Sequence, residues 1–277
     1  SSSINGLLWI RGQSEDYNIW RQLGNTGWGW NDVLPYFLKS ENNELGKGEF
    51  HNDSGPITVA NKKINLKLLD EFQNAAEEYG IPKTNDFNTG DNTGVGFFQF
   101  TTSFNKTGLK LRCSAAKGYL NPVKKRSNLK IVVKAHVQKI NFEGKKAIGA
   151  SYYKGDKLVE VKANKEIILS AGAIGSPHIL QVSGIGNKEK LKKLGIDIIH
   201  ESNGVGLNLQ DHLMFRPVYK VKNLKSLNRK VESIFGKFMM GLEYILNQSG
   251  PVTMGASQVC GFVKSDPSRA TPNLQFH

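Results

Sequence analysis

The stretch ILSAGAIGSPHILQVSGIG, residues 168–186, decides the predicted fold because small residues separate an apolar run from a helix start. The run EIILS at 166–170 is typical of a buried strand in a parallel sheet. Residues 171–175 predict a turn, and Ser176 followed by Pro177 indicates a helix start, with a hydroxyl N-cap and a proline in the first turn. Open α/β sheets bind ligands where a strand feeds such a helix. Two interpretations stay open: close strand-to-helix packing, or contact with a cofactor.

The rest of the chain alternates helical and β-type patterns. Alternation in three runs, 130–142, 147–154 and 158–164, predicts half-exposed antiparallel strands joined by turns. Apolar residues at helical spacing over 64–80 predict a helix that Gly80 ends. The same spacing in 226–262 predicts a helix whose Met and Phe stripe lies in the core.

Composition excludes several classes of protein. The chain has 277 residues, 29 glycines and a net charge of +13, but its lysines are scattered, which favours a solvated surface over a nucleic-acid partner. The two cysteines, Cys113 and Cys260, have no CxxC spacing, so a disulfide scaffold and a structural zinc site are not expected. They are expected to act as small hydrophobic residues. No apolar run reaches the length of a transmembrane helix, and no metal ligands are assigned.

A second glycine cluster, GVGLNLQDH at 204–212, follows a predicted helix and a short apolar strand at 196–199. The adjacent Asp211 and His212 suggest acid/base chemistry, but the chain has no GxSxG nucleophile elbow. A structural role for this pair is favoured. We therefore assign no catalytic residue.

Four motifs follow one another along the chain, at 1–41 (SSSINGLLWIRG at its start), 112–122 (RCSAAKGYLNP), 170–186 (SAGAIGSPHILQVSGIG) and 204–212 (GVGLNLQDH). In this order they resemble the motifs of the glucose-methanol-choline (GMC) flavoprotein oxidoreductases, specifically their insect glucose dehydrogenase-like branch. SSSINGLLWIRGQSEDYNIWRQLGNTGWGWNDVLPYFLKSE at 1–41 resembles the first family signature, and SAGAIGSPHILQVSGIG at 170–186 resembles the second. RCSAAKGYLNP at 112–122 and GVGLNLQDH are similar to flanking motifs. The resemblance implies an oxidoreductase that uses FAD and moves a hydride from an alcohol or sugar to flavin N5.

The resemblance also implies an α/β architecture, with a Rossmann-like FAD domain interleaved with an α+β substrate domain on an antiparallel sheet. Residues 1–45 would form a flavin-covering segment, 46–105 and 214–277 the substrate domain, and 106–213 part of the FAD domain.

The family motifs place the expected cofactor contacts residue by residue. Ser2, Ser3 and Asn5 fit the SSxxN pattern, whose serines donate to the pyrophosphate. Asn5 to Leu8 would lie along the flavin, and Val137 would meet the adenine. The resemblance favours cofactor contact for the loop after the apolar run. The expected FAD contacts are Ser2, Ser3, Asn5, Gly6, Leu7, Leu8, Val137, Ala171, Gly172 and Ala173.

This sequence departs from the family pattern at both ends. It begins without Met and without the βαβ unit that carries GxGxxG, and its last residues resemble a mid-length family strand. We therefore expect a central fragment that lacks the C-terminal catalytic part and is inactive alone. The alternative is a non-catalytic remnant or binding protein. The residues do not identify the electron acceptor or assign a compartment, although secretion would be in keeping with the insect relatives.

Overall fold

The computed structural model describes residues 5–61, 64, 66–104, 108–223, 226–253, 255 and 257–277. Contacts divide the chain into two units. The first unit runs to Arg126 and resumes at Tyr219–His277, whereas the second is the continuous segment Ser127–Val218. The molecule is α/β, as the sequence predicts.

The elements follow one another in this order. The helices are α1 (Ser14–Gln22), α2 (Trp30–Ser40), α3 (Lys67–Glu78), α4 (Asn121–Val123), α5 (Gly172–Val182), α6 (Lys188–Lys193), α7 (Asn228–Glu232) and α8 (Ile234–Asn247). The strands are β1 (Leu8–Trp9), β2 (Glu41–Asn43), β3 (Ile57–Ala60), β4 (Gly94–Phe97), β5 (Gln99–Phe104), β6 (Lys110–Arg112), β7 (His136–Glu143), β8 (Lys146–Lys154), β9 (Lys157–Lys162), β10 (Ile185–Gly186), β11 (His200–Glu201), β12 (Val259–Val263) and β13 (Leu274–Phe276). A π-helical turn at Ala116–Leu120 precedes α4, and a 3₁₀ turn at Pro251–Thr253 follows α8.

Two sheets build the first unit. Strand β5 pairs antiparallel with β1, β3 and β6, and β2 runs parallel to β3. In the other sheet, β12 lies between β4 and β13. Phe98, Val59 and Val95 are buried between these elements, together with the free thiols of Cys113 and Cys260. Both cysteines are buried small residues, as the sequence predicts.

Helix α3 confirms the helix predicted over 64–80. It begins at Lys67, and Gly80 follows it in the left-handed region with a φ of 93°. Glycine adopts this conformation without the cost of a Cβ, so it ends the helix readily. The helix lies against β4 through a cluster that contains Ala76 and Val95.

In the second unit, strands β7, β8 and β9 form an antiparallel meander, as the alternating sequence predicts. Helix α5 is fixed to this sheet by Ser183, whose hydroxyl accepts a 2.8 Å hydrogen bond from the Ile140 backbone N–H. Beyond α5, the short strands β10 and β11 pair in parallel.

The predicted parallel strand at 166–170 is wrong. These residues have no strand structure, and Ile168 is 79% exposed. A buried strand needs hydrogen-bonding neighbours and cover on both faces, and the described residues offer this run neither. Residues 196–199 likewise are not a strand, and β11 begins only at His200.

Helix α5 also begins earlier than predicted. Residues 172–175 are helical rather than a turn, and Ala171 rather than Ser176 is the N-cap residue. The Ser176 hydroxyl still serves the helix start, because it accepts a 3.0 Å hydrogen bond from the Ala171 backbone N–H.

The core position predicted for the Met and Phe stripe is wrong as well. Helix α8 forms at the expected place, but its apolar side chains are exposed, with Phe238 at 64%. Helical spacing identifies an apolar face, and the partner that buries that face must come from elsewhere. Within the described ranges, no helix combines the length and apolar character needed to cross a bilayer.

Candidate cofactor site

The expected flavin-facing segment, residues 5–8, enters the first unit at the edge of its larger sheet. Leu7 has a φ of 74°, and its carbonyl accepts hydrogen bonds from the Thr101 backbone N–H at 2.8 Å and from the Thr101 hydroxyl at 3.1 Å. Leu8 then pairs with Phe100 across β1 and β5. The left-handed Leu7 turns the chain onto the sheet, and Thr101 holds the turn in place.

The residues of this segment differ in exposure. Leu7 and Leu8 pack against the cluster of Phe98, Phe100 and Cys260. Asn5 is exposed, and its carbonyl accepts a 2.6 Å hydrogen bond from Arg112 Nη1. Gly6 is half-buried. Ser2 and Ser3, which the sequence assigns to the pyrophosphate, lie outside the described residues.

A buried cluster of charged side chains anchors the chain directly after this segment. Glu41 Oε2 accepts a 2.8 Å hydrogen bond from Trp9 Nε1, and Glu41 Oε1 forms a 2.9 Å ion pair with Arg11 Nη2. His51 bridges two carboxylates, with Nδ1 3.0 Å from Glu41 Oε1 and Nε2 2.7 Å from Asp86 Oδ2. Two carboxylates and two cations therefore share one buried site, which we call the ion cluster.

The ion cluster changes the protonation of its members. Burial opposes the charged form of His51, but hydrogen bonds to Asp86 and Glu41 outweigh it and raise the pKa of His51 to about 9. Burial would raise the pKa of Glu41, yet the hydrogen bond from His51 and the charge of Arg11 hold that pKa below its usual value. His51 is therefore charged at neutral pH, and it balances the carboxylates.

Asn88 adds backbone contacts to this anchor. Its side-chain oxygen accepts a 2.7 Å hydrogen bond from the Arg11 backbone N–H, and its side-chain amide donates to the Trp9 carbonyl at 3.3 Å. The main chain at Trp9 and Arg11 is thus fixed by groups from later elements. Sequence reasoning missed the ion cluster, because Arg11, Glu41, His51 and Asp86 are far apart in the sequence and come together only in the fold. The available signal was the set of charged residues, Arg11, Glu41 and His51, close to apolar runs.

The expected contacts Ala171, Gly172 and Ala173 lie in the second unit, at the start of α5. Gly172 has a φ of 84° and open space where a Cβ would stand. All three residues are exposed. Of the three, Ala173 lines a groove of about 610 Å³, to which residues 173–181 of α5 and residues 204–210 contribute.

Helix α5 begins next to this groove, which Ala173 of its first turn lines. The first backbone N–H groups of an α-helix have no partner within the helix, and they carry the positive end of its dipole. An anionic group such as a pyrophosphate can accept from them. Val137, the expected adenine contact, lies in the same unit on β7, opposite Tyr152 and 37% exposed.

An α/β chain with a glycine-lined groove at a helix start is typical of proteins that bind nucleotide cofactors. Residues 1–214 match the family model described as GMC oxidoreductase, and the chain therefore belongs to the GMC oxidoreductase family.

Two curated relatives give the scale of the match. The chain is 38% identical over 279 residues to an oxygen-dependent choline dehydrogenase of Pectobacterium atrosepticum, with 100% of this chain and 49% of that protein covered. It is 37% identical over 284 residues to the mitochondrial choline dehydrogenase of Homo sapiens, with 100% of this chain and 46% of that protein covered. The chain thus spans about half the length of these relatives.

Solved structures agree with this assignment. An FAD-dependent oxidoreductase from Chaetomium thermophilum superposes with a TM-score of 0.83 at 31% identity, over 94% of this chain and 47% of that one. A formate oxidase of Aspergillus oryzae shares the fold, with a TM-score of 0.80 at 24% identity, over 95% of this chain and 46% of that one. The family and the FAD-dependent neighbour imply FAD as the cofactor, as the sequence predicts.

The groove in the second unit fits part of such a cofactor. Its lining includes the small residues Ala173, Ser176 and Gly204, and Gly172, next to Ala173 in the chain, has open space where a Cβ would stand. In the first unit, the backbone at Asn5 and Leu7 is held in place by hydrogen bonds from Arg112 and Thr101.

Proposed function

We propose that this chain is the FAD-binding part of an oxidoreductase that transfers a hydride from an alcohol or sugar to flavin N5. The observation that carries the proposal is the family match over 1–214, because this range includes every residue expected to contact FAD. Bound FAD supplies the hydride acceptor, while the protein sets its position and surroundings.

In this proposal the chain's residues orient the cofactor. Ala171, Gly172 and Ala173 let the cofactor approach the backbone at the start of α5, and Val137 contacts the adenine. Asn5 to Leu8 lie along the flavin, and Ser2 and Ser3 donate to the pyrophosphate. The fixed backbone at Leu7 and Trp9 supports this role, because a preorganised segment loses little entropy when the flavin binds. No residue of the chain is proposed as the catalytic base.

The proposed substrate is a small alcohol or sugar. The resemblance to the insect glucose dehydrogenase-like branch supports a sugar, whereas the names of the curated relatives support choline. Turnover of glucose against choline by the intact enzyme separates the two. The electron acceptor is not part of the proposal.

We propose the same domain division as the sequence does: a flavin-covering segment at 1–45, a substrate domain at 46–105 with 214–277, and an FAD domain at 106–213. It is supported by the first unit, which combines residues before Arg126 with Tyr219–His277, and by the separate second unit.

We also infer that the 277-residue chain is inactive by itself. The support is the exposed run at 166–170, which a parallel sheet would bury, and the exposed apolar face of α8. The same exposure supports the alternative of a non-catalytic binding protein of this family. In that case, adding the remaining parts of a family enzyme to the chain would not produce turnover.

Flavin retention tests the central proposal. The purified chain is incubated with excess FAD and desalted, and its absorbance spectrum is recorded. We expect a retained flavin band, and we expect Ala173→Glu to weaken it, because a carboxylate in the groove repels the pyrophosphate. Ala270→Glu is the matched control, since it adds the same charge at an exposed alanine outside the groove. A colourless protein, or equal loss in both variants, would contradict the proposal.

A further inference from the structure

A second cavity, of about 330 Å³, lies in the first unit on one face of the β5–β6 hairpin. Side chains two residues apart on a strand share a face, so Phe100 and Thr102 point the same way, and Thr102 stands directly opposite Arg112 in the register. Leu7 and the turn at Pro251–Thr253 contribute to the other walls. The lining residues are Leu7, Asn61, Phe100, Thr102, Lys110, Leu111, Arg112, Tyr244, Val252 and Thr253.

Thr102 carries a buried hydroxyl without a partner. Its side chain lines the cavity and the residue is 9% exposed, yet Oγ1 has no hydrogen-bond partner within the described part of the chain. A buried hydroxyl that lacks a partner costs free energy. The neighbouring Thr101 hydroxyl, in contrast, donates to the Leu7 carbonyl. The Thr102 hydroxyl is thus a donor that a ligand in the cavity would satisfy.

The charge of the cavity lining is positive. Lys110 and Arg112 both contribute to it, and the Lys110 side chain is only 8% exposed. Glu44 lies 3.2 Å from the Lys110 ammonium, but it is not part of the lining, and the lining residues include no acidic side chain. Lys110 is paired with Glu44 outside the lining, but the charged groups of the lining itself are the cations Lys110 and Arg112, and this composition favours an anion over a cation.

The remaining walls are apolar. Leu7, Phe100 and Val252 present hydrocarbon surface, and the volume lies in the range of small-molecule sites. We propose that this cavity binds a small carboxylate with an apolar body. The carboxylate accepts from the Thr102 hydroxyl under the field of Lys110 and Arg112, and the apolar body packs on Phe100 and Val252.

We expect this site to be separate from the flavin site, because Thr102, Lys110 and Arg112 are not among the expected FAD contacts. Two links to that segment exist: Leu7 lines the cavity, and Arg112 donates to the Asn5 carbonyl. It also differs in charge from a site for choline, the quaternary ammonium alcohol that the relatives' names contain.

Three probes of different charge test the proposal: benzoate, benzyl alcohol and choline. Binding to the 277-residue chain is measured by isothermal titration calorimetry at low ionic strength without FAD. We expect benzoate to bind about tenfold more tightly than benzyl alcohol, since a charge-assisted hydrogen bond is worth roughly that factor, and choline not to bind. Equal affinity for benzoate and benzyl alcohol, or a preference for choline, overturns the proposal.

Two variants locate the binding. Thr102→Val keeps the shape of the side chain and removes the hydroxyl, so we expect benzoate affinity to fall about tenfold while the free protein is no less stable. Ser103→Ala is the matched control, because Ser103 also has a buried unpartnered hydroxyl but does not line the cavity. Unchanged affinity in Thr102→Val, or an equal loss in Ser103→Ala, overturns the proposal.

Saturating FAD separates this site from the cofactor site. Benzoate binding that survives FAD supports an independent site, and binding that FAD abolishes assigns the cavity to the cofactor and overturns the proposal. If the chain fails to retain FAD at all, the function proposed above fails, while the benzoate result stands on the measurements without FAD.

Discussion

Glu41 shows at the residue scale how one buried carboxylate organises distant parts of the first unit. It accepts hydrogen bonds from Trp9, Arg11, Asn52 and His51, which come from both sides of it in the sequence. Removing one member of such a group leaves an uncompensated buried charge, which costs more than the intact group contributes. The cluster therefore fixes Trp9 and Arg11, and with them the position of residues 5–8, which directly precede them in the chain.

The ion cluster predicts a pH-dependent stability. The folded-state pKa of His51, about 9, lies above the value of about 6.5 for an unfolded histidine. Its stabilisation is therefore complete below about pH 6.5 and is lost as the pH rises through about 9. We expect His51→Gln to reduce the free energy of unfolding by about 2–3 kcal/mol at pH 6.5, with a smaller difference from the unaltered protein above pH 9.

Urea denaturation over pH 6 to pH 10 measures this difference. His200→Gln is the control, since His200 is exposed. A gap between His51→Gln and the unaltered protein that stays constant across this pH range would show that His51 is not charged in the fold.

At the element scale, two glycines of the stretch 168–186 occupy their positions for different structural reasons. Gly172 begins α5 with open space around it, whereas Gly184 ends the α5 region in a crowded turn. Gly184 has a φ of 89°, and a Cβ there would meet the backbone carbonyl of Asp197 and the side chain of Ile199. Of the two interpretations left open for this stretch, close packing thus holds for Gly184, and the open Gly172 is the residue suited to a ligand.

Gly184→Ala is expected to cost more than about 2 kcal/mol of unfolding free energy, because a left-handed φ and a clash with backbone act together. Gly155→Ala carries only the conformational cost of about 1 kcal/mol, since nothing lies within 4 Å of its Cβ position. Thermal and urea unfolding of the two variants provide the comparison. If both variants lost the same free energy of unfolding, the backbone at Asp197 would be able to move away from the new Cβ without cost.

The exposed face of helix α8 leads us to expect that Phe238 contributes far less to stability than the buried Phe98. Phe98 is 1% exposed and packs against Phe87 and Cys260, whereas Phe238 projects from α8. We expect Phe98→Ala to cost about 3–5 kcal/mol and Phe238→Ala less than about 0.5 kcal/mol. Denaturant titration of the 277-residue chain measures both. A large loss in Phe238→Ala would mean that the face of α8 is covered in solution.

At the scale of the whole molecule, the sequence correctly predicts the elements that form from residues close together in the chain. It fails where burial is determined by contacts between residues far apart in the chain. The meander β7–β9 and helix α3 need only alternation, turns and helical spacing, and they form as predicted. The run at 166–170 and the stripe of α8 are apolar in pattern, but burial needs a partner that periodicity does not reveal. The ion cluster was missed for the same reason, since Glu41 and Asp86 meet only after the sheets assemble.

The segment 207–219, which leads from the second unit back to the first, is the expected site of proteolysis. It has no helix or strand, and Leu213, Phe215 and Tyr219 are strongly exposed. We expect limited chymotrypsin digestion to cut here well before it cuts at the buried Phe98. Mass spectrometry of the first fragments identifies the sites, and initial cleavage at Phe98 instead would contradict the observed exposure.

The layout of the strands has a consequence for the order of folding during synthesis. Strands β7, β8 and β9 are consecutive, so each pairs with a neighbour that has just left the ribosome, and such local contacts form quickly. Strand β4 must wait for β12, more than a hundred residues later, and the side-chain amide of Gln13 waits for the carbonyl of Pro272. The part of the chain translated first is therefore completed last, and until then the edge of β4 is open to other strands and to chaperones.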